Sequence, residues 1–210
     1  RRMGTVITAA LVLSTAYQAW CLAAQQIVTA RAGEMLEQAG VSAEKILAIP
    51  TPFNSYLWRV IVLDSERYLN LYIPVLGGRE QITVYEHPRG RALATCLDGN
   101  PNLDKLAWFS RGYFRLDLHR GLRGDEVVFS DLRMGLTPNY AFRFATARHD
   151  AGGSQAIPPR HLGGPRGTWA DVEWLLANMG HDPVMRLAEA KAWLRTADLS
   201  TTARSQAAVC

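Results

Sequence analysis

Residues 56–74 read YLWRVIVLDSERYLNLYIP. Two apolar runs, 56–63 and 67–74, are rich in β-branched and aromatic residues and flank the short polar break Asp64-Ser65-Glu66. That pattern predicts two strands separated by a hairpin-length break. A third short strand, QITVYE over 81–86, follows the turn signal Gly77-Gly78. Strand-like runs return at 108–119, 126–134 and 140–148, again without a long helix between them. Strands at such spacing predict an antiparallel meander rather than a parallel sheet, whose crossovers need helices.

Outward from the strands, the N-terminal end is of a different character. After Arg1 and Arg2 no ionisable acid or base occurs until Arg31. The run is long enough for a hydrocarbon core, which needs about 20 apolar residues. Thr5, Thr8, Ser14, Thr15 and Gln18 are the small and polar residues that let membrane helices pack closely. Trp20 and Tyr17 suit an interfacial level. A buried helix of a soluble domain, or a signal peptide with RRM as its basic end, would also fit such a run. The missing clean cleavage site favours a transmembrane helix over 1–30. The non-methionine start leads to the expectation of a fragment with earlier spans upstream. A helical stalk over 31–49 follows, broken at Gly40 and ended by Pro50 and Pro52.

The strand region, 50–150, includes a short helical stretch ALATCL and the loop Asp98-Gly99-Asn100-Pro101-Asn102. Gly, Pro and Arg then make 151–167 an exposed loop. Thr168 with Asp171 three residues on forms a capping box at the start of a helix. A second helix is expected from Asp182-Pro183, so 168–197 is a helical hairpin, and 198–210 a disordered tail. The fold class is therefore α+β: an N-terminal transmembrane helix, an antiparallel β-rich domain and a C-terminal helical hairpin.

Composition narrows function mainly by exclusion. The 210 residues carry a net charge of +4, with basic residues scattered and never in a run, so no nucleic-acid partner is expected. Cys21, Cys96 and Cys210 are distant and odd in number, which argues against a disulfide framework. The five histidines form no metal-ligand spacing, and His149-Asp150 and His181-Asp182 lack the helical setting a metal phosphohydrolase pair needs. There is no nucleophile elbow, P-loop or dinucleotide fingerprint. No residue here is expected to ligate a metal, and catalysis by this chain alone is not supported.

Two places carry polar residues where strands ought to be apolar. In VVFSDLRMGLTPNYAFRF, residues 127–144, alternation puts Val127, Phe129, Asp131 and Arg133 on one face. Asp131 and Arg133 are either a polar site facing a cleft or a strand-end ion pair that locks the turn over 135–139. The ion pair is the more economical reading. The second place is PTPFN, residues 50–54, followed by Trp58 and Arg59. Asn54, Trp58 and Arg59 are candidate binding residues, or a rigid joint between stalk and sheet.

Three segments together resemble one family: PTPFNSYLWRVIV, FSRGYF over 109–114, and SDLRMG leading to YAFRF. They are similar in order and spacing to the bacterial inner-membrane metal-dependent hydrolases, the YdjM-like proteins, over roughly residues 30–148. In that family a multi-span N-terminal half carries an H-R-x-x-T-H-S type motif with acidic residues held to bind metal. No such motif occurs in this chain. The resemblance thus implies the C-terminal part of a hydrolase in a bacterial inner membrane, with a divalent metal held by upstream spans of the same chain. The lipid bilayer and those spans would be its partners. The alternative is a non-catalytic, membrane-attached domain that binds a ligand or partner.

Overall fold

The computed structural model describes residues 2–121, 124–150, 153–164, 167–179 and 183–192. It has a long helix α1 (Arg2–Gln38), then β1 (Lys45–Pro50), β2 (Leu57–Leu63), β3 (Arg67–Pro74) and β4 (Thr83–Pro88). Two helices follow, α2 (Arg91–Thr95) and α3 (Pro101–Phe109). Next come β5 (Phe114–Gly121), β6 (Gly124–Asp131), β7 (Gly135–Leu136), β8 (Asn139–Tyr140), β9 (Arg143–Asp150) and β10 (Gly153–His161), and then α4 (Trp169–Asn178). Residues 187–192 are helical as well.

The strands pair antiparallel in two four-stranded sheets, β1-β2-β3-β4 and β10-β9-β6-β5, with β7 and β8 as a separate two-stranded ribbon. The fold is α+β as expected. The 56–74 hairpin is β2 and β3, in register from Leu57↔Pro74 to Leu63↔Tyr68. Nearly every residue in both strands is buried, which explains why alternation is missing from the sequence: each face of this sheet is covered.

One face is covered by α1. Ala24, Val28, Ala32 and Leu36 recur every four residues and meet Trp58, Val60, Val62, Leu69, Leu71 and Ile73. The two alanines bring the helix close to the sheet. Arg31 fastens it at one end by donating to the carbonyls of Pro74 (2.6 Å) and Gly77 (2.7 Å). Residues 3–22, by contrast, are almost wholly exposed. The helix is long and apolar enough to cross a membrane, and its most apolar part has no buried residue.

Several boundaries differ from expectation. The proposed stalk over 31–49 is only half helix. α1 ends at Gln38, Gly40 takes a left-handed backbone (φ 64°), and 45–50 pairs as an edge strand with β2. A strand of six residues with Glu44 and Lys45 at its head offers little alternation to read. α3 replaces the expected start of a strand at Trp108, because Asn100 caps it by accepting from the Asn102 N–H and Pro101 opens its first turn. The loop expected over 151–167 contains β10, an edge strand whose pairing shifts between Ala156 and Arg160 around Pro158 and Pro159. Prolines are tolerated there because one side of an edge strand needs no donors. The Thr168–Asp171 capping box is present as expected. Asp182 and the residues from 193 on, which hold the rest of the expected hairpin and the tail, lie outside the described residues.

Cys96 is disulfide-bonded, which a reading that argued against a disulfide framework did not foresee, while Cys21 is a free thiol.

Candidate functional site

The second face of the first sheet is buried too, and it sets polar residues among apolar ones such as Leu57, Ile61 and Leu63. Arg59 and Asn70 interrupt the apolar strands β2 and β3 and point to this side with Tyr72 and His87. The segment after α4 supplies Arg186 and Glu189, both buried. Glu189 accepts from Asn70 Nδ2 (2.5 Å), from the Tyr72 hydroxyl (2.6 Å) and from His87 Nε2 (3.2 Å). Arg186 donates to Asp171 Oδ1 (2.6 Å), and its backbone N–H donates to the Tyr85 hydroxyl (2.6 Å). Asn70 Nδ2 also donates to Thr137 Oγ1 (3.0 Å). A buried charge is tolerated only when paired and hydrogen-bonded, and here each carboxylate oxygen has partners.

The titration of these groups follows from their surroundings. Burial pushes the Glu189 carboxyl up, but the hydrogen bonds from His87 and Tyr72 and the field of Arg59 outweigh it, so its pKa lies below the usual value. Asp171 behaves alike: burial raises it, while the Thr168 N–H and the Arg186 guanidinium pull it lower. The Tyr72 phenol is pushed well above its ordinary value by burial and by the Glu189 charge.

Beside this network opens a cleft of about 570 Å³. Its walls are the β1–β2 loop, the β7–β8 ribbon and α4, and Arg59, Arg133 and Arg186 lie along its floor. Arg59 donates through Nε to Asn70 Oδ1 (3.0 Å) and through its other nitrogens to the carbonyls of Leu132 and Gly135. No carboxylate among the described residues pairs with it directly. Gly135 must be glycine: its φ is 101°, and a Cβ would sit 2.9 Å from the Tyr140 Cα.

Asp131 and Arg133 form the ion pair expected of them. Asp131 is fully buried and accepts from the Arg133 backbone N–H (2.9 Å), Nε (3.0 Å) and Nη2 (2.7 Å). The two are not neighbours on one strand face, however. β6 ends at Asp131, so Arg133 belongs to the turn and folds back over the carboxylate. Arg133 Nη2 also donates to the Phe109 carbonyl (2.9 Å), and the guanidinium lies 5.4 Å from the Phe109 ring centroid. The hydrogen bonds it donates to Asp131 raise the Arg133 pKa further, so the cation is permanent. Its Nη1 has no hydrogen-bond partner among the described residues.

Asn54 is a turn residue as foreseen: its Oδ1 accepts from the N–H groups of Tyr56 (3.0 Å) and Leu57 (2.7 Å). It also lines the cleft, together with Arg59. Trp58 does not. Its side chain is on the opposite face of the sheet, packed under α1, with Nε1 donating to the Ser55 carbonyl (3.0 Å). Strand alternation required this, since Trp58 and Arg59 are consecutive.

The segments that carried the family resemblance meet here although they are far apart in sequence. PTPFN lines the cleft, Arg59 reaches the carbonyls of SDLRMG, and Arg133 reaches the carbonyl of Phe109 in FSRGYF. Comparison with known proteins gives no match: no family model, no curated protein and no solved structure corresponds significantly to this chain.

The carboxylates in and around the cleft do not suit the divalent metal that the resemblance implies. Asp131 is engaged by Arg133, Asp171 by Arg186 and Thr168, and Glu189 by four neighbours. Among the described residues no three His, Cys, Asp or Glu side chains converge as a metal site. Sequence reading did not find Glu189, Arg186, Asn70, Tyr72 or His87. The signal was there in part: Arg59 and Asn70 each break an otherwise apolar run that the fold buries.

Proposed function

We propose that this chain is a membrane-attached ligand-binding domain, with the cleft between the β1–β2 loop and α4 as its binding site. The observation that carries this reading is Arg133. Its guanidinium is fixed by Asp131 and the Phe109 carbonyl, lines the cleft, and keeps Nη1 free of hydrogen-bond partners among the described residues. A fixed cation at the floor of an apolar cleft suits an amphiphile with a carboxylate or phosphate head and an apolar body. The wall residues Pro52, Leu136, Leu175 and Leu176 would hold that body.

The test uses the full chain in nanodiscs with decyl phosphate as probe and decyl maltoside as the uncharged control. Saturable binding of the phosphate is expected, weakened at least tenfold in the double variant Asp131→Asn with Arg133→Gln, which removes the charges together and strands neither. Equal binding of both amphiphiles would sink the reading.

A second reading rests on the convergence of the three resembling segments around the cleft. In it, the domain serves a metal-dependent hydrolase of the bacterial inner membrane whose metal ligands lie outside this chain, and the cleft delivers substrate to them. Metal content and phosphoesterase activity, measured on a longer protein that includes upstream spans and on this chain alone, test it. Turnover and metal in the longer form only are the expected results.

A further inference from the structure

The cleft has an apolar rim that the fold does not require. On α4 the buried face is Asp171, Trp174, Leu175 and Asn178. A second stripe, Trp169, Val172, Leu176 and Met179, follows at the spacing of one helix side and is exposed. Leu176 is 58% exposed and Trp169 73%. An amphipathic helix of a water-facing domain puts polar residues there.

Phe53 adds to the same rim. It stands at the tip of the β1–β2 loop with its side chain entirely exposed and its backbone in the left-handed region, at φ 61°. A left-handed conformation is strained for a residue that carries a Cβ. Asn or Gly would make the same turn with less strain, and neither would hold an aromatic ring out of the domain. The loop is pinned to α1 at the level where its unpacked part ends: Trp20 Nε1 donates to Ser55 Oγ (3.1 Å). Phe53 and the α4 stripe line one cleft, so both lie at the end of the domain from which the apolar helix emerges.

We propose that the Phe53 tip and the outer stripe of α4 form a bilayer-docking surface, which seats the mouth of the cleft in the interfacial layer of the membrane. The occupant is lipid because the loop that carries Phe53 is tied by Ser55 to Trp20, where the bare apolar half of α1 ends, and because Trp and Phe beside aliphatic residues favour that layer. The inference rests on α1 being the span. It adds a second, independent point of contact, so the domain lies down on the membrane and amphiphiles reach the cleft laterally without crossing water.

The test is site-directed nitroxide labelling of the full chain in vesicles of phosphatidylcholine and phosphatidylglycerol, on a Cys21→Ser background. Labels are placed at Phe53→Cys, Leu176→Cys, Leu13→Cys in the span and Ser65→Cys in the β2–β3 turn. The readout is the ratio of collision with oxygen, which concentrates in lipid, to collision with a water-soluble nickel chelate. Ratios at 53 and 176 several-fold above that at 65, and close to that at 13, are expected. Low ratios at 53 and 176 with a high one at 13 overturn the docking surface and leave the span intact. A low ratio at 13 removes the span and the docking surface with it. Labels at 53 and 176 shielded from both reagents mean that protein, such as a second copy, covers the rim, and this also overturns the proposal.

Discussion

Both faces of the first sheet are buried, but only one of them holds a charged, hydrogen-bonded network among its apolar residues. On one side α1 covers Trp58, Val60, Val62, Leu69 and Leu71 with apolar contacts. On the other, Arg59, Asn70, Tyr72 and His87 are closed over by Arg186 and Glu189. An apolar face tolerates local repacking and registers lost volume. A charged, hydrogen-bonded face fails when any one member is removed, because its partners are then buried without compensation. The face beside the cleft is the more specified and the more fragile of the two.

The largest expected effect is therefore Glu189→Ala. It leaves Arg59 and Arg186 beside an empty volume and costs about 3–5 kcal/mol, read from urea unfolding of the chain in detergent. On the helix side Leu71→Ala removes a fully covered side chain and costs about 2–5 kcal/mol. If the alanine at 189 proves the milder change, the charge network contributes less than the contrast requires.

Acid separates the faces without mutation. The Glu189 and Asp171 carboxyls have folded pKa values below their ordinary 4.5 and 3.8. Their contribution is complete above those ordinary values and is lost as pH falls through them towards the folded ones. Stability is thus expected to be level between pH 6 and 8 as far as these groups decide it, in order-of-magnitude terms, and to drop below about pH 4.5. The drop is retained in Leu71→Ala and diminished in Glu189→Gln, and pH-dependent urea midpoints measure it. The smallest effect is expected at the joint: Asn54→Ala leaves the Tyr56 and Leu57 N–H groups to water and costs about 1 kcal/mol.

The same contrast marks what a sequence could disclose. Where chemistry is local the reading succeeded: the β2–β3 hairpin, the Thr168–Asp171 capping box, the Asn54 turn and the Asp131–Arg133 pair all lie within a few residues. The polar face is built from residues 59, 70, 87, 137 and 189, and separations of that length leave no periodic trace. Glu189 three residues after Arg186 looks like an ordinary solvated helix pair, and only packing reveals that both are inside. Trp58 and Arg59 were grouped by adjacency, whereas a strand sends neighbours to opposite sides. β10 was hidden by its prolines and α3 by its loop-like cap.

The unbroken course of α1 has a mechanical meaning. At 37 residues it is a rod of about 56 Å. Its far half is riveted to the sheet through Ala24, Val28, Ala32, Leu36 and Arg31, with no glycine turn or proline between the bare part and the packed part. Handle and blade are one piece. Any change in tilt or rotation of the bare half swings the whole sheet with it, so the angle at which the rod is held by its surroundings becomes the angle at which the cleft is presented.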